Sequence, residues 1–169
     1  MLSYCILRIP RALVFCGAAC RVSLALLVVL AGAGRAVVAQ AGVTANRDLQ
    51  FGAVTRGIPA AVPPADPINS GQWTITAPVG TRVQLRITTP VNLLGPAGAS
   101  MLFEVGKNDS FTQTPSGAPT YFNPSTFLIF TFSGASTAIV RLGGRVLPGA
   151  AQASGAYANT VILQMNILN

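Results

Sequence analysis

The chain has 169 residues, with 11 Lys and Arg, 4 Asp and Glu, and no His. Lys107 and Glu104 are the sole members of their residue types, which speaks against a bundle of surface helices. Without imidazole there is no histidine acid–base pair or histidine zinc site, and a hydrophobic fraction of 51% is too high for a disordered chain.

In chain order, the first element is a leader. Arg8, Arg11 and Arg21 precede an apolar run over residues 22–34, and Ala39-Gln40-Ala41 supplies small residues at the spacing of a signal-peptidase cut. This predicts a signal-peptide helix in residues 1–41, cut after Ala41 (after Ala39 as second choice), and one mature domain over residues 42–169. The apolar run is shorter than the roughly 20 residues of a membrane span. A second reading is an uncleaved anchor over residues 12–34, but Arg21 would then sit within the span, at a cost of about 2.5–3.5 kcal/mol at its centre. Gly17-Ala18-Ala19-Cys20 faintly resembles a lipoprotein cleavage box, but the most apolar stretch follows Cys20 and argues against lipidation.

Cys5, Cys16 and Cys20 all lie in the leader, so the mature domain has no disulfide, thiolate nucleophile or cysteine metal site. Arg8, Arg11, Arg21 and Arg35 leave with it. Seven positive charges then face four negative ones, too small an excess to point to nucleic acid. The expected location is exported: periplasm, cell surface or extracellular space, with membrane contact only through the leader.

The mature segment has 128 residues, 14 of them Gly and 11 Pro. Such punctuation leaves little room for helices, and the short runs between are rich in Val, Ile, Thr and Phe. Leu49, Phe51 and Ala53 alternate with polar or small residues as a first strand. Residues 56–70 carry Pro59, Pro63, Pro64 and Pro67 and read as a loop or irregular edge. Trp73, Ile75 and Ala77 alternate, Pro78-Val79-Gly80 turns, and Val83, Leu85 and Ile87 alternate with Arg82, Gln84 and Arg86. Residues 90–100 read as a loop, and Met101, Phe103 and Val105 as a strand backed by Glu104.

Residues 106–125 read as a long polar connection. Residues 126–132, with Phe127, Phe130 and Phe132, read as a central strand. Ala138, Val140 and Leu142 lead into a bend at Gly143-Gly144, followed by Arg145-Val146-Leu147. Residues 157–168 close the chain as one long strand, expected inside a sheet unless a partner covers it, with Val161, Leu163, Met165 and Ile167 on one face. The expected fold is an all-β, immunoglobulin-like antiparallel β-sandwich of about 7–8 strands. Its core would be Trp73, Leu85, Ile87, Phe103, Phe127, Phe130, Val161 and Leu163.

Four blocks in order carry a family resemblance: Leu49-Gln50-Phe51-Gly52; Gly71-x-Trp73-x-Ile75 with Pro78-x-Gly80 and Leu85-x-Ile87-x-x-Pro90; Leu142-Gly143-Gly144-Arg145-Val146; and Gly155-Ala156-Tyr157-Ala158-Asn159-Thr160-Val161. Over roughly residues 46–168 the chain resembles the domain-of-unknown-function 4402 family of exported bacterial proteins, with Asn159 where that family has Gly. The resemblance implies no catalytic residues. It implies kinship in style with spore-coat-U and pilin-like sandwiches. In those, a C-terminal strand pairs with a periplasmic chaperone or a neighbouring subunit; here its positions are Val161, Leu163, Met165 and Ile167. Two departures stand out: Leu168 occupies the penultimate position where pilins carry an aromatic, and residues 42–47 are too short for an ordinary donor extension.

Other candidates divide between functional and plain readings. Arg82 and Arg86 share a strand face and, with Arg141 and Arg145, would make a basic patch for an anionic ligand or glycan; the plainer reading is solvated sheet decoration. Asp48, Asp66, Glu104 and Asp109 are the only carboxylates available to a glycosidase, and they form no dense cluster in sequence. Trp73 and Tyr157 read as core anchors ahead of sugar-stacking residues. No catalytic, metal or cofactor site is expected. The expected function is an exported, non-enzymatic structural or adhesion-type domain, with a periplasmic or surface binding module as the alternative.

Overall fold

The computed structural model describes residues 3–8 and 40–168. The described chain is all-β. β1 (Ser3–Arg8), β3 (Leu49–Val54), β4 (Ala60–Val62), β7 (Asn92–Leu94), β8 (Ser100–Glu104), β13 (Gly144–Leu147) and β14 (Ala156–Thr160) form one sheet in the order β3-β1-β14-β7-β8-β13-β4. β10 (Thr120–Phe122), β9 (Ser110–Gln113), β12 (Thr137–Leu142), β5 (Gly71–Thr76) and β2 (Gly42–Arg47) form a second, in that order. β11 (Leu128–Thr131), β6 (Arg82–Thr88) and β15 (Ile162–Leu168) form a third. The pairings are antiparallel except for β1 with β14, which is parallel.

Alternation builds the interior. Trp73 and Ile75 on β5, Val83, Leu85 and Ile87 on β6, and Ala138, Val140 and Leu142 on β12 all point inward, as a period of two requires. They join Leu49, Phe103, Tyr157 and Leu163 in one buried cluster that spans the three sheets. Each large apolar side chain so buried contributes about 1.5–3 kcal/mol.

The described residues hold more strands than the seven or eight expected, because long strands break where they change sheets. β6 and β7 are separated by Pro90, which has no N–H for a ladder; β14 and β15 are separated by Val161. The pairs β6–β15 and β7–β14 continue one antiparallel ladder across both breaks. β12 and β13 break at Gly143, where a Cβ would lie 2.3 Å from the Val62 carbonyl oxygen and 2.6 Å from the Pro64 nitrogen. Only glycine admits β4 this close.

At the start of the ladder, Tyr157 is fully buried. Its hydroxyl donates to the Ala153 carbonyl at 2.8 Å and accepts from Gln152 Nε2 at 2.6 Å, so the ring is buried without an orphaned polar atom.

Several expectations are corrected. Gly52 adopts φ +65°, so the alternation slips and Val54, not Ala53, turns inward. Residues 106–125 contain the β9–β10 hairpin, with Pro115 and Pro119 confined to its connection. Residues 90–100 contain β7 and a short 3-10 turn at Pro96–Gly98. β11 is an edge strand, not a central one: it pairs with β6 alone. Phe127 is accordingly 54% exposed and Phe130 only partly buried, while Phe132 is fully buried.

The terminal strand is likewise interior only in part, since β14 lies between β1 and β7 but β15 is a sheet edge. Ser3–Arg8 is extended, not helical, because it pairs with strands on both sides. The expected apolar run, Cys16, Cys20 and the cut after Ala39 fall outside the described residues.

Gly143→Ala is expected to destabilise the fold by about 1–3 kcal/mol. Gly149→Ala, where a Cβ meets only Gln152 Oε1 at 4.0 Å, should change stability by less than about 0.5 kcal/mol. Urea denaturation followed by Trp73 fluorescence measures both.

Candidate functional site

β15 pairs antiparallel with β6 from Ile162 opposite Thr88 to Leu168 opposite Arg82. Among the described residues it has no other strand partner. Its second row of backbone N–H and C=O groups therefore faces outward, free to pair with another strand. The inward face loses its cover along its length. Val161 is fully buried, Leu163 is 9% exposed, Met165 is half-buried, and Ile167 is 52% exposed although it registers with the fully buried Val83. Ile167 is thus an inward-facing residue left half bare at the sheet edge.

Arg82 and Arg86 project from the outer face of β6, between β11 and β15. The Arg86 guanidinium lies 5.2 Å from the Phe127 ring centroid, a cation–π contact worth about 0.5–1 kcal/mol when exposed. Exposed Ile129 and Ile162 flank the same face. Arg141 and Arg145 do not join it. Arg141 lies on β12 in another sheet, 5.9 Å from the Phe111 centroid, and Arg145 on β13 pairs with Glu104 at 2.5 Å. The four arginines thus form no single patch.

Glu104 and Asp109 line one open cleft together with Arg145, Val62 and Pro63. Glu104 Oε2 accepts from Arg145 Nε at 2.7 Å, and Asp109 Oδ2 accepts from the Gly106 N–H at 2.6 Å. Both carboxylates already serve to fasten β8, β13 and the turn between β8 and β9. Among the described residues, no group of three or more His, Cys, Asp or Glu could hold a metal ion, and no helix is long and apolar enough to cross a membrane.

A clamp escaped the sequence reading. Arg47 at the end of β2 donates to the Ser70 carbonyl at 2.7 Å, to Ser70 Oγ at 3.1 Å, to Gln72 Oε1 at 3.2 Å and to the Pro67 carbonyl. The same loop is closed by Asp66, whose Oδ1 accepts from the Ile68 and Asn69 N–H groups and whose Oδ2 accepts from Asn69 Nδ2. The signal was present in Asp66-Pro67-Ile68-Asn69, an Asx-turn sequence. Burial, then Arg141, holds the Arg47 pKa below its ordinary value, against the opposing pull of Asp66. Trp73 and Tyr157 are buried and offer no face to a sugar.

Comparison with protein-family models finds no match, and comparison with curated proteins finds no relative.

The Asn69 side chain, then the Asn69 and Ile68 backbone N–H groups, hold the Asp66 carboxyl below the usual carboxylate range. A depressed folded-state pKa stabilises the loop at pH values above the unfolded-state pKa, and the contribution is lost as pH falls through the folded one. NMR titration should place the Asp66 midpoint below that of an ordinary Asp, and Asn69→Ala should raise it. An unshifted midpoint contradicts the clamp.

Proposed function

We propose that the chain is an exported, non-enzymatic structural domain of adhesion or fimbrial type. It is built as an immunoglobulin-like β-sandwich, akin to the domain-of-unknown-function 4402 family, and engages its partner by backbone pairing along a sheet edge or the C-terminal strand. The observation that carries this reading is the open edge of β15 with half-exposed Ile167 on its inward face. A sheet edge with uncovered apolar side chains is a template for another strand. The buried aromatics are committed to the core, and the cleft carboxylates to holding strands and turns. The partner in this reading is a periplasmic chaperone or a second subunit, and the location is the periplasm, cell surface or extracellular space.

A second reading rests on the Arg82 and Arg86 face. Two exposed arginines among Phe127, Ile129 and Ile162 suit an anionic glycan or other acidic ligand. Saturable binding on an anionic glycan array, lost in Arg86→Ala, would favour it; no binding would leave the structural reading in place.

Leu163 and Ile167 separate folding from assembly. Leu163→Asp places an unpaired charge in the core and should abolish the folded exported protein. Ile167→Lys should hold stability within about 0.5 kcal/mol yet remove any cross-linked ladder or chaperone complex that the wild-type chain gives in cell fractions. A ladder undiminished in Ile167→Lys would contradict assembly through β15.

A further inference from the structure

The alternation that buries one face of the second sheet turns the other outward. Along one row of that outer face, Tyr121 on β10 registers with Phe111 on β9, Phe111 with Arg141 on β12, and Arg141 with Gln72 on β5. Two residues along each strand, about 7 Å away, Gln113, Ile139 and Thr74 make the next row. Together with Thr137, Thr114 and Pro115 they line an open cleft of 440 Å³, large enough for a small ligand.

Arg141 is the unusual member of this face. Its guanidinium lies 5.9 Å from the Phe111 ring centroid, and its Nε is buried without a hydrogen-bond acceptor. Among the described residues it has no ion-pair partner either. A buried donor left without an acceptor costs free energy that no protein contact offsets here. Gln72 adds a second donor. Its Oε1 accepts from Arg47 at 3.2 Å, and among the described residues no acceptor meets its Nε2. Arg47 is taken up by Ser70, Pro67 and Gln72, all neutral acceptors, so its charge adds to that of Arg141. Burial, then Arg141, holds the Arg47 pKa down, and the opposing pull of Asp66 is the smallest of the three influences.

We propose that this outer face binds an acidic sugar, a hexuronate unit of a polysaccharide, whose carboxylate accepts hydrogen bonds from Arg141 and Gln72 Nε2. The sugar ring occupies the adjoining cleft, and the neighbouring unit packs on Tyr121, which is 49% exposed beside Phe111. Two side-chain donors match the two oxygens of a carboxylate. A phosphate is the poorer fit: β12 is paired with β9 on one side and β5 on the other, so its backbone offers no nest of free N–H groups. The same pairing leaves an extended peptide no edge to join. Thr74, Gln113 and Thr137 supply neutral donors and acceptors for hydroxyls, and Ile139 and Tyr121 supply apolar surface for the C–H groups of the rings. The site requires neither loss of the leader nor an open sheet edge, and it lies on a different sheet from Arg82 and Arg86.

The test is calorimetric titration of the full chain with a galacturonate tetrasaccharide, compared with its fully methyl-esterified form and with inorganic phosphate. The acid should bind saturably, and the ester and phosphate about tenfold or more weakly. Arg141→Gln should cost about tenfold or more, and Arg141→Lys should not restore binding, because an ammonium lacks the planar fork. Tyr121→Ala should weaken binding, and Arg86→Ala should leave it unchanged. The near-ultraviolet signal of Trp73, which registers with Val140 beside Arg141, reports whether the Arg141 variants fold. If they do not, the ester comparison and Tyr121→Ala decide. No saturable binding of the acid, equal binding of the ester, or phosphate binding as tight as that of the acid would overturn the proposal. So would full binding by a folded Arg141→Gln chain. Loss of binding in Arg86→Ala alone would overturn it too, by placing the glycan on the β6 face instead.

Discussion

Every backbone N–H and C=O removed from water needs a partner, and this requirement is met unevenly across the molecule. β5, β6 and β12 have a neighbour on each side and bury one face completely. The last strand does not. β14 is flanked on both sides only through Ser3–Arg8, and among the described residues β15 pairs with β6 alone, with β2 packed nearby. The rest of the structure accommodates that deficit: the core is sealed under Tyr157 and Val161 and opens progressively toward Ile167.

Glycines and a buried tyrosine keep the sealed part in register. The chain passes from one sheet to the next between β12 and β13 because Gly143 lets the backbone approach Val62 and Pro64. Gly95 plays the matching role under the Tyr157 ring, whose Cε1 would lie 2.3 Å from an added Cβ. Tyr157 is bonded to Ala153 and Gln152 near the point where the two halves of the last strand, β14 and β15, enter different sheets. On the proposed reading, an edge held by these contacts would lower the entropic cost of capturing a strand.

Alternation made the central strands legible in the sequence. Trp73 with Ile75, Val83 with Leu85 and Ile87, and Val140 with Leu142 are read correctly because one buried face imposes a strict period of two. The bend at Gly143-Gly144 was legible for the same reason: two glycines interrupt that period. What stayed hidden depends on tertiary pairing. Phe127 and Phe132 look alike in sequence, yet one is solvent-facing beside Arg86 and the other buried. Nothing local distinguishes an edge strand from a central one. Phe111 and Phe122 are buried in a hairpin, but the polar, proline-bearing residues between them masked its strands. Val161, Leu163, Met165 and Ile167 were recognisable as one face; the gradient of exposure along that face was not, because it depends on which strands pack beside β15.

The interior has the composition of a plain structural core, and the charged groups of the cleft and of the loop over residues 63–70 hold turns and strands together. The most direct measurement of the central claim is residue-resolved amide hydrogen exchange on the isolated chain. Along Ile162–Leu168, amides directed at β6 should be protected, and those alternating with them should exchange as fast as loop amides. Uniform strong protection along that strand would mean that its outer edge already has a neighbour, and would contradict the account.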